Sequence, residues 1–594
     1  VRFPILRDKR LISADFFRED VEGFSTELDK GKYDFVIGNA PWGRNTVTEL
    51  AKSWAKDRWE ITYGNIGPLF LPKAASLTKI DGRVAMMQPA GVLIFNQINT
   101  AKNFREKLFS EHKVEEIVNL SALRFGLFKD AISPSCIITI SSISPDGKPF
   151  DYICPKSVCS NEDDYRIVIE PQDMNAIYPQ EAIRDSVIFT ALMWGGRRDL
   201  ILIRRLSREQ NLNKLENDGI VVKRQGVIRG DRQKLQPSIL GRRILKSKTF
   251  PQGTFLFLKV QDLPINEDQE TDSRASTDFS AFDLPQLIIK QSWQTKSRRF
   301  QAAITELKSS ANQGIICSNS YVSVHVSQEE LVSILETACL CYNSKFAVYY
   351  LFLTNGSFAF YIPKVGVEDL LHLPIPEPRK RLLLNTKTIE DVDRHINEAF
   401  AFKESEWVLI EDLFNYTLPD FKGDSNSPGR KTTRSGQKTG SQDENSEPIL
   451  RQYCEYFLRV MKAGFGQDKN ICATIFQERT ETILPIRLVA IYLNSSHKEG
   501  VKIESIDSPE LLEELSKLNR LFSPQENTEN VSIFYQRVAK IYDSVQLNGE
   551  TIPTIYFVKP DKIRYWTRSM ALRDADEVAA ELMMGATEFS NNGN

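Results

Sequence analysis

The sequence predicts an α/β protein: a sheet built from alternating strands and helices, then an α+β region, a helical segment and a separate C-terminal α/β domain. Three observations support this. Short apolar runs alternate with helically spaced apolar residues over residues 1–150. The character changes near Gly196, where a basic, strand-rich stretch begins. Residues 422–448 are rich in Gly, Ser, Thr, Asn and Lys and nearly devoid of apolar side chains, so they are expected to be a disordered linker.

Candidate strands in the first region are 10–14, 33–37, 83–88, 114–120 and 136–141, with helical spacing at 68–79 and 103–109. Phe35, Val36 and Ile37 read as a buried parallel strand ending at Gly38. Residues 151–195 carry weak signals and read as a connection. In 196–378, strands are expected at 254–260, 286–291 and 321–326 and a long helix at 329–350. Residues 379–421 read as a helical segment. In 449–594, apolar runs at 483–493 and 552–558 and helical patterns at 509–522 and 574–584 predict another folded unit of unassigned role.

The chain has 594 residues, a length expected to hold about three or four domains. Its 41% hydrophobic and 26% charged content is ordinary, and the net charge of −2 requires any nucleic-acid surface to come from local segregation of charge. Eight cysteines are scattered, with Cys154 and Cys159, and Cys339 and Cys341, close in sequence but without a second pair at zinc-site spacing. Reduced structural thiols and no metal are expected. No apolar run is long enough to span a membrane and no signal peptide is evident, so a cytoplasmic protein without membrane association is expected. The chain begins at Val1 and runs at once towards a strand-like segment, which suggests a fragment or split protein with an upstream half.

The most informative motif is Asn39, Ala40, Pro41 and Trp42, on the loop after the 33–37 strand. Open α/β sheets bind ligands at the carboxyl ends of their strands. A side-chain amide, a carbonyl before proline and an aromatic face can accept two hydrogen bonds from an amino group and stack on the ring that bears it. Two such bonds localise the amino lone pair for attack on a methyl donor. The tetrapeptide resembles the Asn/Asp-Pro-Pro-aromatic motif of amino-methyltransferases, with Ala40 replacing the first proline. Because the second acceptor is a backbone carbonyl, alanine still supplies it; what is lost is a fixed φ. Pro41 keeps Ala40 extended.

Other segments fall in the order this family implies. Ile12, Ser13, Ala14, Asp15 and Phe16 resemble its strand ending in an acid and an aromatic, so Asp15 and Phe16 would contact the adenine of S-adenosyl-L-methionine. A helix, a tight turn at Asp81-Gly82 and a strand ending at Pro89 follow, and then Phe128, which would pack on the flipped base beside Trp42. The stretch 335–378, with Leu371, His372, Leu373 and Pro374, resembles the end of a specificity domain starting near Trp194-Gly195-Gly196. Residues 10–415 thus resemble γ-arranged N6-adenine DNA methyltransferases of the type IIG restriction–modification kind. The resemblance implies a Rossmann-like methyltransferase sheet, incomplete at its N-terminus, followed by a target-recognition domain.

The stretch 223–248 holds nine Lys/Arg against one acid. The resemblance makes Arg224, Arg229, Arg232 and Lys234 candidate phosphate contacts to double-stranded DNA. Gln291, Trp293, Arg298 and Arg299 form a second candidate group. The family's Gly-rich cofactor turn lies upstream of the Asp15 position and has no room here, so an upstream polypeptide or subunit is expected to complete the pocket. No nuclease cluster is evident. The leading expectation is adenine methylation of DNA within a restriction–modification or phage-defence system. An amino-methyltransferase for cytosine N4 or RNA, and an inactive DNA-binding specificity protein, stand as alternatives.

Overall fold

The computed structural model describes residues 11–43, 46–127, 133–159, 165–228, 233–246, 249–272, 279–305, 314–357, 364–379, 382–422, 426–434, 447–465, 470–478, 485–493, 500–506, 539–547 and 549–591. The chain divides into two compact units, one of residues 1–195 with 203–387 and the other of 196–202 with 388–594. The architecture is mixed α/β, with several sheets.

The first unit opens on a six-stranded sheet. Its strands are β1 (Tyr33–Asn39), β2 (Thr78–Pro89), β3 (Lys113–Asn119), β4 (Ser135–Ser141), β5 (Phe150–Ile153) and β8 (Met174–Ile177). The hairpin of β6 (Lys156–Cys159) and β7 (Tyr165–Val168) stands apart from it. The order is β1-β2-β4-β3-β5-β8; β1 runs parallel to β2, and β4 runs antiparallel to both β2 and β3. Residues 151–195, read as a connection, instead supply strand residues to this sheet and two helices, Pro179–Arg184 and Val187–Trp194. Short strands carry too few residues to show a period, which is why the sequence understated them.

Three local expectations are corrected. Residues 11–14 form no strand. The strand at β1 is an edge, with Phe35 67% and Ile37 82% exposed, so the apolar run is not the buried one expected. Asp81-Gly82 is not a turn between helix and strand but a bulge within β2, where Tyr33 pairs with Thr78 and Phe35 with Arg83. A Cβ at Gly82 would lie 2.9 Å from the Asp34 carbonyl, so only glycine lets the bulged strand approach β1 this closely.

After β1 come α1 (Glu49–Ala55), α2 (Phe70–Leu77), α3 (Ala90–Leu93) and α4 (Asn99–Glu111), of which α2, α3 and α4 pack against strands of this sheet. Thr48 caps α1 by accepting from the Ala51 N–H. On α4 the buried positions Ala101, Phe104, Arg105, Leu108 and Phe109 follow helical spacing. Arg105 is buried too; its Nη1 donates to the Leu93 carbonyl at 3.1 Å, and burial lowers its pKa to about 10.

The remainder of this unit contains a five-stranded sheet with strands in the order Phe257–Leu258, Ala302–Thr305, Gln286–Lys290, Tyr321–His325 and Val222–Gln225. The long helix expected over 329–350 is broken into Val332–Asn343 and Lys345–Thr354. Ser344 makes the break: its Oγ accepts from the Ala347 N–H at 3.3 Å and donates to the Cys341 carbonyl at 2.6 Å.

The second unit builds its own five-stranded sheet, in the order Gly500–Ile506, Cys472–Glu478, Ile486–Tyr492, Glu550–Pro560 and Ala539–Leu547. Helices Pro448–Phe465 and Arg568–Asn591 bury a core around Tyr453, Phe457 and Trp566. The helices of the expected 379–421 segment, Ile389–Phe400 and Glu404–Asp412, belong to this unit, with Arg568 paired to Asp412 at 2.7 Å. Part of the expected disordered linker is also placed. Ser427, Gly429 and Thr433 are buried, and the Thr433 N–H and hydroxyl donate to Asp561 at 3.0 and 2.6 Å. Its ordering partner lies far along the chain, so local composition could not reveal it. The 509–522 pattern lies outside the described residues.

Candidate functional site

Asn39 ends β1 opposite Met87 of the parallel strand β2. The register carries the loop Ala40–Trp42 out at the carboxyl ends of two adjacent parallel strands. Asn39 and Pro41 are exposed, Ala40 is buried and Trp42 half-buried. The loop is backed by the segment Asn65–Gly67: Asn65 Oδ1 accepts from the Gly67 N–H at 2.8 Å, and a Cβ at Gly67 would lie 3.2 Å from the Pro41 carbonyl oxygen. Gln88, the fully buried residue next after Met87 in β2, brings its Oε1 to the same spot, 3.3 Å from that Cβ position.

Trp42 lines a cavity of about 700 Å³. Tyr63 and Asn65 line it from the loop after α1, and Phe95, Asn96 and Gln97 from the segment after α3. Asn355, Gly356 and Asp369 complete it from beyond the helix Lys345–Thr354. Its size falls within the range of small-molecule pockets. Tyr63 holds φ +52, a left-handed conformation costing an aromatic residue about 1–2 kcal/mol, of the kind that clusters at functional sites. Tyr63, Asn65, Asn355 and Asp369 were not foreseen. The sequence signal nearest to them is the pair of glycines Gly64 and Gly67, which flank Asn65 and Ile66.

Asp15 and Phe16 sit in a tight turn. Asp15 Oδ1 accepts from the Phe17 N–H at 2.9 Å, and Phe16 stacks on Phe70 of α2 with centroids 4.9 Å apart. Glu19 holds this turn to α2 through an ion pair with buried Lys73, and it also accepts from the Thr26 N–H at 2.7 Å. Burial pushes the Lys73 ammonium down, against the opposing pull of Glu19. Asp15 and Phe16 offer the contact types an adenine ring uses, a carboxylate and an aromatic face, but one carboxylate oxygen already serves the turn and Phe70 occupies one side of the ring. The described residues therefore fit the adenine end of S-adenosyl-L-methionine in part. Phe128 lies outside the described residues.

Among the described residues of the basic stretch, several side chains are engaged within the protein. Arg224 is buried, its guanidinium 3.9 Å from the Phe279 ring centroid, which corrects its reading as a phosphate contact. Lys223 pairs with Glu368 at 2.8 Å and Arg242 with Asp283 at 3.0 Å. Lys234 is exposed on the short strand Gln233–Leu235. Arg229 and Arg232 lie outside the described residues. In the second candidate group, Gln291, Trp293 and Arg299 are buried, and Arg299 Nη1 donates to the Asn343 carbonyl at 3.1 Å, so these three serve packing rather than an exposed DNA face.

Seven described cysteines are free and buried, and burial raises the Cys154 thiol to about 11. Among the described residues no cluster could hold a metal, and no helix is long and apolar enough to cross a membrane.

Comparison with known proteins bears on this site. No curated protein sequence matches the chain. Among solved structures, the type IIL restriction-modification enzyme MmeI in complex with DNA aligns at 14% identity and TM-score 0.32, covering 67% of this chain and 58% of that one. The type IIG restriction endonuclease BpuSI aligns at 13% identity and TM-score 0.28, covering 69% and 55%. The M protein of the type I restriction enzyme EcoKI aligns at 14% identity and TM-score 0.17, covering 20% and 25%. The chain thus spans less than two thirds of each of these solved chains. The family profile described as Eco57I restriction-modification methylase matches residues 6–125, a span that contains Asp15, Phe16 and the whole Asn39–Trp42 loop.

Proposed function

We propose that this chain carries the amino-methylating site and recognition region of a site-specific DNA adenine methyltransferase of a restriction–modification or phage-defence system. The observation that carries the reading is the Asn39–Trp42 loop at the carboxyl end of β1, with Trp42 on the wall of the adjoining cavity, inside the matched methylase segment. S-adenosyl-L-methionine would supply the methyl group. Asn39 Oδ1 and the Ala40 carbonyl accept hydrogen bonds from the two amino protons of an adenine extruded from the duplex, which drives its nitrogen towards a tetrahedral geometry. Trp42 stacks on the ring and replaces the base-stacking lost from the helix. Lys234 contributes backbone attraction for double-stranded DNA.

The exposed Phe35 and Ile37 on edge strand β1 support a further part of the reading, an upstream polypeptide or subunit that covers this edge and completes the cofactor pocket. Burying each side chain would contribute about 1.5–3 kcal/mol.

The test is Asn39→Ala in the full-length protein, with S-adenosyl-L-methionine and double-stranded DNA, reading N6-methyladenine by nucleoside mass spectrometry. Loss of methylation with DNA binding retained is expected. Full methylation by the variant overturns the assignment. N4-methylcytosine in place of N6-methyladenine redirects it to the cytosine alternative, and DNA binding without methylation by the unmutated protein favours the inactive specificity protein.

A further inference from the structure

We infer that Asp369 and Asn355 form part of the wall of the pocket that receives the extruded nucleobase, with Asp369 accepting a hydrogen bond from an N–H of the bound nucleotide and Asn355 holding Asp369 in place. The inference rests on the proposed methylation site and adds to it a contribution from the recognition region.

The geometry is specific. The roughly 700 Å³ cavity has Trp42 and Tyr63 on its wall from the sheet side and Asn355 and Asp369 from the segments after the helix Lys345–Thr354. The volume exceeds what a single aromatic base needs, leaving room for its sugar. Gly356 lets the two sides meet: a Cβ there would lie 3.1 Å from Phe95 Cβ and 3.4 Å from the Phe95 carbonyl oxygen. Any side chain at that position would push the 354–357 loop away from the segment after α3.

Asn355 is buried and clamped at both ends of its amide. Its Oδ1 accepts from the Ser357 N–H at 2.7 Å, and its Nδ2 donates to Asp369 Oδ2 at 3.0 Å. Asp369 is thereby fixed in orientation while staying reachable from the cavity. Protein crowds the carboxyl on most sides even though solvent reaches it, and that crowding raises its pKa from the ordinary value. A carboxylate oriented by an amide and facing a polar, aromatic-lined cavity is an acceptor for an N–H donor. Nucleobases carry such donors on the edges of a flat ring, whose face can stack on an aromatic side chain such as Trp42 or Tyr63 on the cavity wall.

Two measurements on the full-length protein test this. The first uses Asp369→Asn and Asn355→Ala, with S-adenosyl-L-methionine and genomic duplex DNA free of methyladenine. Asp369→Asn keeps the size of the side chain and places a donor where an acceptor stood. We expect kcat/KM to fall at least tenfold, with DNA affinity and melting temperature close to those of the unmutated protein. The second irradiates the protein bound to a mixed-sequence duplex containing 8-azidoadenine and maps the adducts by mass spectrometry. Adducts are expected on the Trp42 peptide and on peptides spanning 354–357 or 364–369. Adducts on Trp42 alone, or unchanged kcat/KM in Asp369→Asn, overturn the inference while leaving the methylation site standing. Equal loss of DNA binding and methylation in Asp369→Asn also overturns it, since the residue would then serve duplex binding. Adducts on neither wall reject both readings.

Discussion

Gly67 lies against Pro41: a Cβ at Gly67 would sit 3.2 Å from the Pro41 carbonyl oxygen and 3.3 Å from Gln88 Oε1. The nearest atom is Asn65 Oδ1 at 3.1 Å, and because Asn65 and Gln88 are both buried, neither side chain has room to swing aside and the Pro41 oxygen is backbone. Gly67→Ala should displace the Asn39–Trp42 loop by a few tenths of an ångström. Misplacement on this scale lowers kcat, here by about tenfold or more, while melting temperature changes by only a few degrees. Steady-state methylation kinetics with a thermal melt check this.

Ala40→Pro should retain methylation within about threefold. Only the carbonyl of residue 40 is asked to accept a hydrogen bond, and proline keeps that carbonyl while fixing φ. A large loss of kcat would mean that the Ala40 backbone needs a conformation or donor that proline denies it.

Arg224 and Lys234 should separate cleanly, although they come from one basic stretch. Arg224→Ala removes a buried guanidinium stacked on Phe279 and should cost about 2–3 kcal/mol of stability. Lys234→Ala should leave the melt unchanged, weaken DNA binding uniformly across sequences and reduce the salt slope by about one. Binding isotherms at several salt concentrations, beside chemical denaturation, distinguish the two.

Acid should loosen the 23–33 segment. Burial opposes ionisation of Asp29, but the Lys32 ammonium at 2.6 Å and the N–H groups of Gly23 and Ser25 at 2.7 and 3.1 Å outweigh it and hold the carboxyl below its ordinary value. A folded-state pKa below the unfolded one means that stability is present above the unfolded value, about 3.9, and is lost as pH falls through the folded value. Exchange protection of the Gly23 and Ser25 amides should therefore drop below about pH 4 in the unmutated protein. In Asp29→Asn it should be low at every pH.

Phe35→Ser with Ile37→Thr should leave the melting temperature of the chain nearly unchanged, because both side chains are already exposed. If an upstream polypeptide covers this edge, the double variant should reduce methylation through weaker assembly. Restored activity at a higher concentration of that polypeptide is the expected signature.

The legible parts of the sequence were those with strong local patterns. The strands around Val84, Val118 and Ile138 alternate or run apolar, and their positions match to within a few residues at each end. The loop of Asn39 and Trp42 was locatable because it follows such a strand. Phe35 and Ile37 misled, because an apolar run reads the same on a covered strand and on an exposed edge. Arg224 misled for a related reason: sequence records its charge but not the Phe279 ring beneath it. Thr433 was hidden in a polar stretch whose partner, Asp561, lies far along the chain.

What the sequence alone determined is the local chemistry: a tetrapeptide carrying a side-chain amide, a carbonyl before proline and an aromatic face, its place after a strand, and the α/β rhythm around it. These depend on side-chain type and on periods of two and 3.6 residues, which are local properties. Only the tertiary structure decided that Gly67 and Gln88 back the loop, that Asn355 and Asp369 share a cavity with Trp42, and which basic residues remain exposed. Those relationships join residues tens to hundreds of positions apart. They follow from packing, through which burial and close approach are settled by the whole unit rather than by any one stretch of chain.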